Sequence, residues 1–330
     1  MKRFVIILLV FALLLGAVAF GICYSIDPYS VFHPFNVRDN GVEVNSNYIK
    51  MTYILENPDK FDSFLFGSSR AGFLNVEKMG DRCYNMWYPQ GMPEEHLNNL
   101  KTMVSKGLVP RKVYIALDSA SYMNDPSLHE SMQTYSPYEY LKSHPVKFIT
   151  MYLDPAVALQ SLPIISKHTP NGTYAECYYK TGAEISYGEV GTHSFKDSPY
   201  VGPTYMMDDC LETIRETVEF CKENGIESVF FTNPMHYATY EFSLELDYID
   251  FLKKLAEITP YWNFSGYNDI TRNSDYYRDP SHFLPEVGDM MIDCMCNGAQ
   301  PDGLYEQGFG AYITADNADK WISVIESGEK

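Results

Sequence analysis

An uncharged apolar run over residues 4–26, preceded by Lys2 and Arg3, constrains this chain more than any other feature. A helix rises about 1.5 Å per residue, so the run can cross a hydrocarbon core of roughly 30 Å. The rest of the chain must then fold beside a membrane, with the cationic end inside and the remainder on the far side. Ala17-Val18-Ala19 also resembles the small-residue cleavage site of a secretory signal, which is the alternative reading. The run continues through Phe20, Ile22, Cys23 and Ile26, past the usual apolar core of a signal peptide, and this favours an uncleaved anchor. Ile22, rather than a small residue, precedes Cys23, which argues against a lipoprotein signal.

The expected organisation is a membrane anchor at 1–26, a Pro- and Tyr-containing lead-in at 27–60, and one α/β domain at 61–330. Hydrophobic content of 45%, with 27 Tyr and 19 Phe, supplies a large core despite a net charge of -18. That acidity, with no Lys/Arg cluster of useful length, argues against nucleic acid as a partner. It also disfavours polyanionic glycans, unless a local basic spot such as Arg70 is used.

From residue 61 onward short apolar runs alternate with amphipathic stretches. Strands are expected at 64–66, 83–86, 113–117, 229–232 and 262–264, with an edge strand at 311–314. Helices are expected at 48–55, 93–104, 206–223, 240–257, 287–296 and 317–325. Strand, helix, strand, helix implies parallel strands joined by right-handed crossovers, hence a three-layer α/β/α sandwich around a mostly parallel sheet. The rhythm breaks at about 121–205. Short helical pieces at 138–143 and 146–162 precede a Gly-, Tyr- and Thr-rich region at 167–201. Loops this long are uncommon unless functional, so the region reads as an inserted lid or binding subregion, with a disordered excursion as the alternative. Cys83, Cys177, Cys210, Cys221, Cys294 and Cys296 lie beyond the span, and six cysteines permit fifteen pairings among which sequence cannot choose. No Cys or His spacing suits zinc, and neither metal nor cofactor is expected.

Two short stretches carry the chemistry. Phe64-Leu65-Phe66 reads as the end of a buried strand, and Gly67-Ser68-Ser69-Arg70 lets the chain turn sharply and expose a hydroxyl. Ser69 is the candidate nucleophile, because ligands of open α/β sheets sit beyond the carboxyl ends of the strands. An ordinary strand-to-helix loop with a serine N-cap is the plain alternative. Far down the chain, Asp279-Pro280-Ser281-His282 puts a carboxylate and an imidazole three residues apart. Pro280 keeps Asp279 extended, so its carboxylate can turn back and fix the histidine tautomer. Together the two stretches form a triad in the order Ser, Asp, His. The Gly-x-Ser-x-Gly elbow of α/β-hydrolases, with its distant Asp and His, does not match this spacing.

Gly67-Ser68-Ser69 near the start and Asp279-Pro280-Ser281-His282 near the end resemble the first and last blocks of the SGNH (GDSL) hydrolase superfamily. The single N-terminal span and the Gly-Ser-Ser form are similar to membrane-anchored relatives that handle acyl groups on envelope polymers, such as the D-alanyl transfer protein family. The resemblance implies a flavodoxin-like fold, with Ser69 as nucleophile and, through its amide, oxyanion donor. His282 would be the general base and Asp279 its orienting partner. Gly91 would be the second-block glycine, donating a backbone N–H to the oxyanion. The family's third block ends in Gly-x-Asn-Asp, whereas this strand ends Leu117-Asp118-Ser119, and a carboxylate repels an oxyanion. Asn85 and Asn233 are the candidate substitutes for that donor. His236, near Asn233, reads as a substrate contact, a loop contact or a structural histidine. Arg70 could grip an anionic polymer or pair with Asp118. The implied function is a cell-surface serine esterase or O-acyltransferase on envelope glycan or teichoic-type polymer. Its implied partner is a membrane-bound O-acyltransferase that donates the acyl group. The alternative is a catalytically silent glycan-binding or scaffold protein that kept the sheet and lost the oxyanion hole.

Overall fold

The structure is a computed structural model that describes residues 2–27, 29, 31–33, 44–80, 82–132, 134–151, 181–183 and 206–327. The expected Gly-, Tyr- and Thr-rich region at 167–201, most of the expected helix at 146–162, and Cys177 lie outside the described residues. In chain order the elements are α1 (Lys2–Ile26), α2 (Ser46–Glu56), β1 (Ser63–Phe66), β2 (Cys83–Asn85), α3 (Pro93–Ser105), β3 (Lys112–Leu117), α4 (Tyr138–Ser143) and α5 (Pro145–Met151). There follow α6 (Met207–Glu223), β4 (Glu227–Thr232), α7 (Tyr237–Leu244), α8 (Tyr248–Ile258), β5 (Tyr261–Asn263), β6 (Tyr277–Asp279), β7 (His282–Phe283), α9 (Pro285–Asn297), β8 (Ala311–Ile313) and α10 (Ala318–Ser327).

The chain divides into two compact units, Met1–Tyr53 with His129–Tyr179, and Ile54–Leu128 with Lys180–Lys330. In the first, α1 is long and apolar enough to span a bilayer, and its apolar side chains from Phe4 to Val18 stand exposed. Asp27 follows it in a left-handed conformation (φ 47°), and its carboxylate accepts the N–H groups of Val31 (2.9 Å) and His33 (2.5 Å). Asn45 donates its side-chain amide to the Ser136 carbonyl at 3.0 Å, joining the two sequence-distant parts of this unit.

The second unit is a mixed α/β body built on a six-stranded sheet of order β2-β1-β3-β4-β5-β8. The first five strands run parallel, and β8 closes the edge antiparallel to β5. Strands β1 and β3 are apolar on both faces because both faces are covered. Leu65, Tyr114, Ala116 and Phe231 enter one core with Val287 and Met291 of α9, while their neighbours Phe64, Phe66, Val113 and Ile115 are also buried. The register sets Phe66 opposite Ile115 and Leu117 opposite Thr232, so the carboxyl ends of β1, β3 and β4 open at one edge of the body.

Two expectations need correction. The single helix expected at 240–257 is two helices, α7 and α8. Leu246 and Asp247 bond back to Ser243 and Leu244 (3.0 and 3.3 Å), and Asp247 turns left-handed (φ 55°), so the helical ladder stops and restarts. The Asp279–His282 stretch is likewise more than a turn before a helix. It forms a separate two-stranded antiparallel hairpin, β6 with β7, in which Asp279 pairs with His282.

Gly67 closes β1 against its neighbours. A β-carbon built there would come 2.6 Å from Ala71 Cβ and 2.9 Å from Ala116 Cβ, neither of which can swing away. Gly67→Ala should lower the unfolding free energy by about 1–3 kcal/mol, read as a shifted urea midpoint for the full chain in detergent. An unchanged midpoint would mean that this end of β1 is not so tightly packed.

Candidate active site

After Gly67 and Ser68 turn the chain, residues Ser69–Phe73 coil as a short 3-10 turn, with Ser69 at its head. Ser69 Oγ thereby projects beyond the carboxyl end of a buried strand. It lies 2.8 Å from Nε2 of His282, more than two hundred residues away. On the far side of the ring, His282 Nδ1 is 2.8 and 2.9 Å from the two carboxylate oxygens of Asp279. An ionised carboxylate only accepts, so Nδ1 carries the proton and Nε2 is left to accept from the serine hydroxyl. Asp279 Oδ1 also accepts the backbone N–H groups of Ser281 (2.8 Å) and His282 (3.0 Å). Partial burial pushes the Asp279 carboxyl upward, but the hydrogen bond and charge of His282 and the two backbone N–H groups outweigh it and hold the carboxyl below its ordinary value.

The hairpin that carries His282 is pinned by three carbonyl contacts. Arg70 Nε donates to Ser281 at 3.0 Å, Thr239 Oγ1 to Pro280 at 2.7 Å, and Tyr277 Oη to Pro234 at 3.2 Å. Arg70 Nη1 also pairs with Asp118 Oδ1 at 2.7 Å, where the two side chains are only 10% and 2% exposed. Asp118 ends β3, caps the next turn by accepting the Ala120 N–H at 2.8 Å, and accepts Asn233 Nδ2 at 2.9 Å. Of the two roles open to Arg70, pairing with Asp118 is the one observed.

A cavity of about 450 Å³ opens over Ser69 and His282. Arg70, Gln90, Ser119, Thr239, Glu241 and Glu245 are among its other lining residues. The N–H groups of Ser69 and Arg70 head the 3-10 turn and meet no acceptor among the described residues. Ser68 Oγ, also at this wall, is buried without a partner. Gln90, held left-handed (φ 56°), makes no hydrogen bond among the described residues. Sequence reasoning missed Gln90, Glu241 and Glu245. The signal for the first was its position beside Gly91, and for the glutamates their spacing of four on one helix face. Glu241 also borders a shallower depression with Tyr237, Tyr267 and Arg272.

Four of the expected site residues lie elsewhere. Gly91 donates its N–H to the Tyr88 carbonyl at 3.1 Å and is therefore not available to an oxyanion. It is a packing glycine, since a β-carbon there would come 2.7 Å from the Gly67 carbonyl oxygen and 2.8 Å from the His96 ring. Asn85 is fully buried, donating to the Ala71 carbonyl (2.8 Å) and accepting the Trp87 N–H (3.0 Å), so it braces the serine turn from beneath. Asn233 is committed to Asp118, and His236 caps α7 while facing Ser274 Oγ at 3.1 Å; both are buried away from the cavity lining. His96, near Gly91, is a second histidine behind the serine turn, but burial pushes its pKa down to about 3 and it stays neutral. Cys210, Cys221 and Cys294 are free thiols, and Cys294 and Cys296 stand on α9 as expected. No protein-family model matches the chain, and no curated protein does.

The charges at this site can be tested in two ways. Asp279 binds its proton less tightly in the native state than in the unfolded chain. Its contribution to stability is therefore complete above the ordinary value of 3.8 and is lost as pH falls through the lower native one. Asp279→Asn should melt below wild type at pH 6, and the two Tm curves should converge at the acid end; curves that stay parallel would contradict this. Arg70→Met leaves Asp118 buried without its counter-charge and should cost about 3–5 kcal/mol, much of it recovered in Arg70→Met/Asp118→Leu. Additive losses in that double-mutant cycle would show the pair to be uncoupled.

Proposed function

We propose that this chain is a membrane-tethered serine esterase or O-acyltransferase of the SGNH type, acting on acyl groups of a cell-envelope glycan or teichoic-type polymer. In this reading the body is a flavodoxin-like three-layer α/β/α sandwich on the outer side of the cell membrane, similar to the D-alanyl transfer protein family, with a membrane-bound O-acyltransferase as donor partner. One observation carries it: Ser69, His282 and Asp279 form a continuous hydrogen-bonded relay at a cavity mouth, from two segments remote in sequence.

That relay dictates the order of proton transfers. His282 Nε2 takes the Ser69 proton as Oγ attacks the acyl carbonyl, and Asp279 stabilises the imidazolium that forms. The unpartnered N–H groups of Ser69 and Arg70 and the amide of Gln90 are the donors closest to where the oxyanion develops. Each such donor typically contributes about 3–4 kcal/mol to the transition state. The tetrahedral adduct expels the alcohol, which leaves with the proton from His282. Water or a sugar hydroxyl, deprotonated by the same nitrogen, then attacks the acyl-serine and frees the acyl group. The case for a silent binding protein rested on Asp118 as a charge that repels an oxyanion. Its pairing with Arg70 weakens that case. The depression next to Glu241 supports a substrate longer than the cavity alone would hold.

The test is fluorophosphonate labelling of the full chain in detergent, with hydrolysis of p-nitrophenyl acetate in parallel. Wild type should label, Ser69→Ala and His282→Ala should not, and Asp279→Asn should hydrolyse the ester about 10³–10⁴-fold more slowly. A folded wild type that neither labels nor hydrolyses would sink the enzyme reading and favour a binding role.

A further inference from the structure

We infer that helix α5 is a second membrane contact, which lays Val146 and Ile149 into the lipid leaflet beside the point where α1 leaves it. The inference rests on the reading of α1 as an anchor. A 25-residue helix is about 37 Å long against a hydrocarbon core of roughly 30 Å, so its last turns reach headgroup level. Phe20 and Tyr24 stand on those turns, and an aromatic cluster grows from them. Phe32 packs on Phe20 (ring centroids 5.8 Å) and Tyr24 (4.9 Å), and Phe148 of α5 packs edge-on against Phe32 at 5.2 Å. Helix α5 is thus fixed at the depth where aromatic residues gather at a bilayer interface.

Its remaining surface suits that place. Phe148 faces inward, meeting Tyr48 as well (5.9 Å). Val146 lies about 200° around the helix from Phe148 at 100° per residue, and it is 74% exposed, with Ile149 44% exposed. No residue of α5 is buried. In a chain carrying -18, residues 138–151 hold one acid, Glu139, against Lys142, Lys147 and His144. Lys147 lies over the Tyr140 ring and Lys142 over Tyr48 and Tyr138, the amphipathic pairing that suits phosphate headgroups above an apolar layer. Phe148 and Phe32 hold α5 at the level of the last turns of α1, and lipid is therefore the occupant of its exposed apolar face.

The experiment uses the full chain reconstituted in vesicles of phosphatidylcholine and phosphatidylglycerol. A phospholipid with a diazirine in its acyl chain is photolysed, and labelled peptides are mapped by mass spectrometry. Carbene adducts are expected on α1 and on the peptide holding Val146 and Ile149. In Val146→Asp/Ile149→Asp the second set should fall at least several-fold while α1 stays labelled. Label confined to α1 in wild type would overturn the inference while leaving the anchor intact, and would assign the face to water or a protein partner. Undiminished α5 label in the double variant would overturn it as well. Absence of label on α1 would remove the anchor, and this inference with it.

Discussion

The arrangement at the open edge of the sheet depends on one buried ion pair, Arg70 with Asp118. Taking both charges out of water is expensive, and their attraction offsets this only where the remaining polar atoms are also satisfied. Here they are: Asp118 accepts from Asn233 and from the Ala120 N–H, and Arg70 donates to the Ser281 carbonyl. The result is a single charge cluster that joins the turn after β1, the ends of β3 and β4, and the hairpin of β6 and β7. Such a cluster adds little to net stability compared with an apolar replacement. What it fixes is the position of the hairpin and of the turn after β1 relative to β3 and β4, which the backbone ladder already joins to each other.

That pairing also sets the charge of the cavity lining. With Arg70 neutralised, the remaining charges at the lining are the carboxylates of Glu241 and Glu245. These carboxylates would repel an anionic group brought to this wall.

The local parts of this picture were legible in the sequence and the long-range parts were not. A buried strand stopping in Gly-Ser-Ser and a proline-held Asp three residues before His are written in neighbouring residues, and both stand where they were expected. The short parallel strands were equally readable, since β1 and β3 are apolar on both faces. The places of Gly91, Asn85 and Asn233 were not legible because a side chain's use is set by partners far away in sequence, such as Ala71 for Asn85 or Asp118 for Asn233, whereas of the readings open to His236 the structural one is observed. The break between α7 and α8 was missed for a different reason. Helical periodicity runs straight through it, and only the left-handed backbone of Asp247 marks the stop.

The hairpin that carries His282 belongs to neither edge of the main sheet. Its strands pair only with each other, but Tyr277 and Phe283 are fully buried in the core shared with β1, β3 and α9, and three side-chain bonds to carbonyl oxygens add to that hold. The 2.8 Å spacing between Ser69 and His282 is therefore set by apolar packing beneath the hairpin as much as by the polar contacts around it.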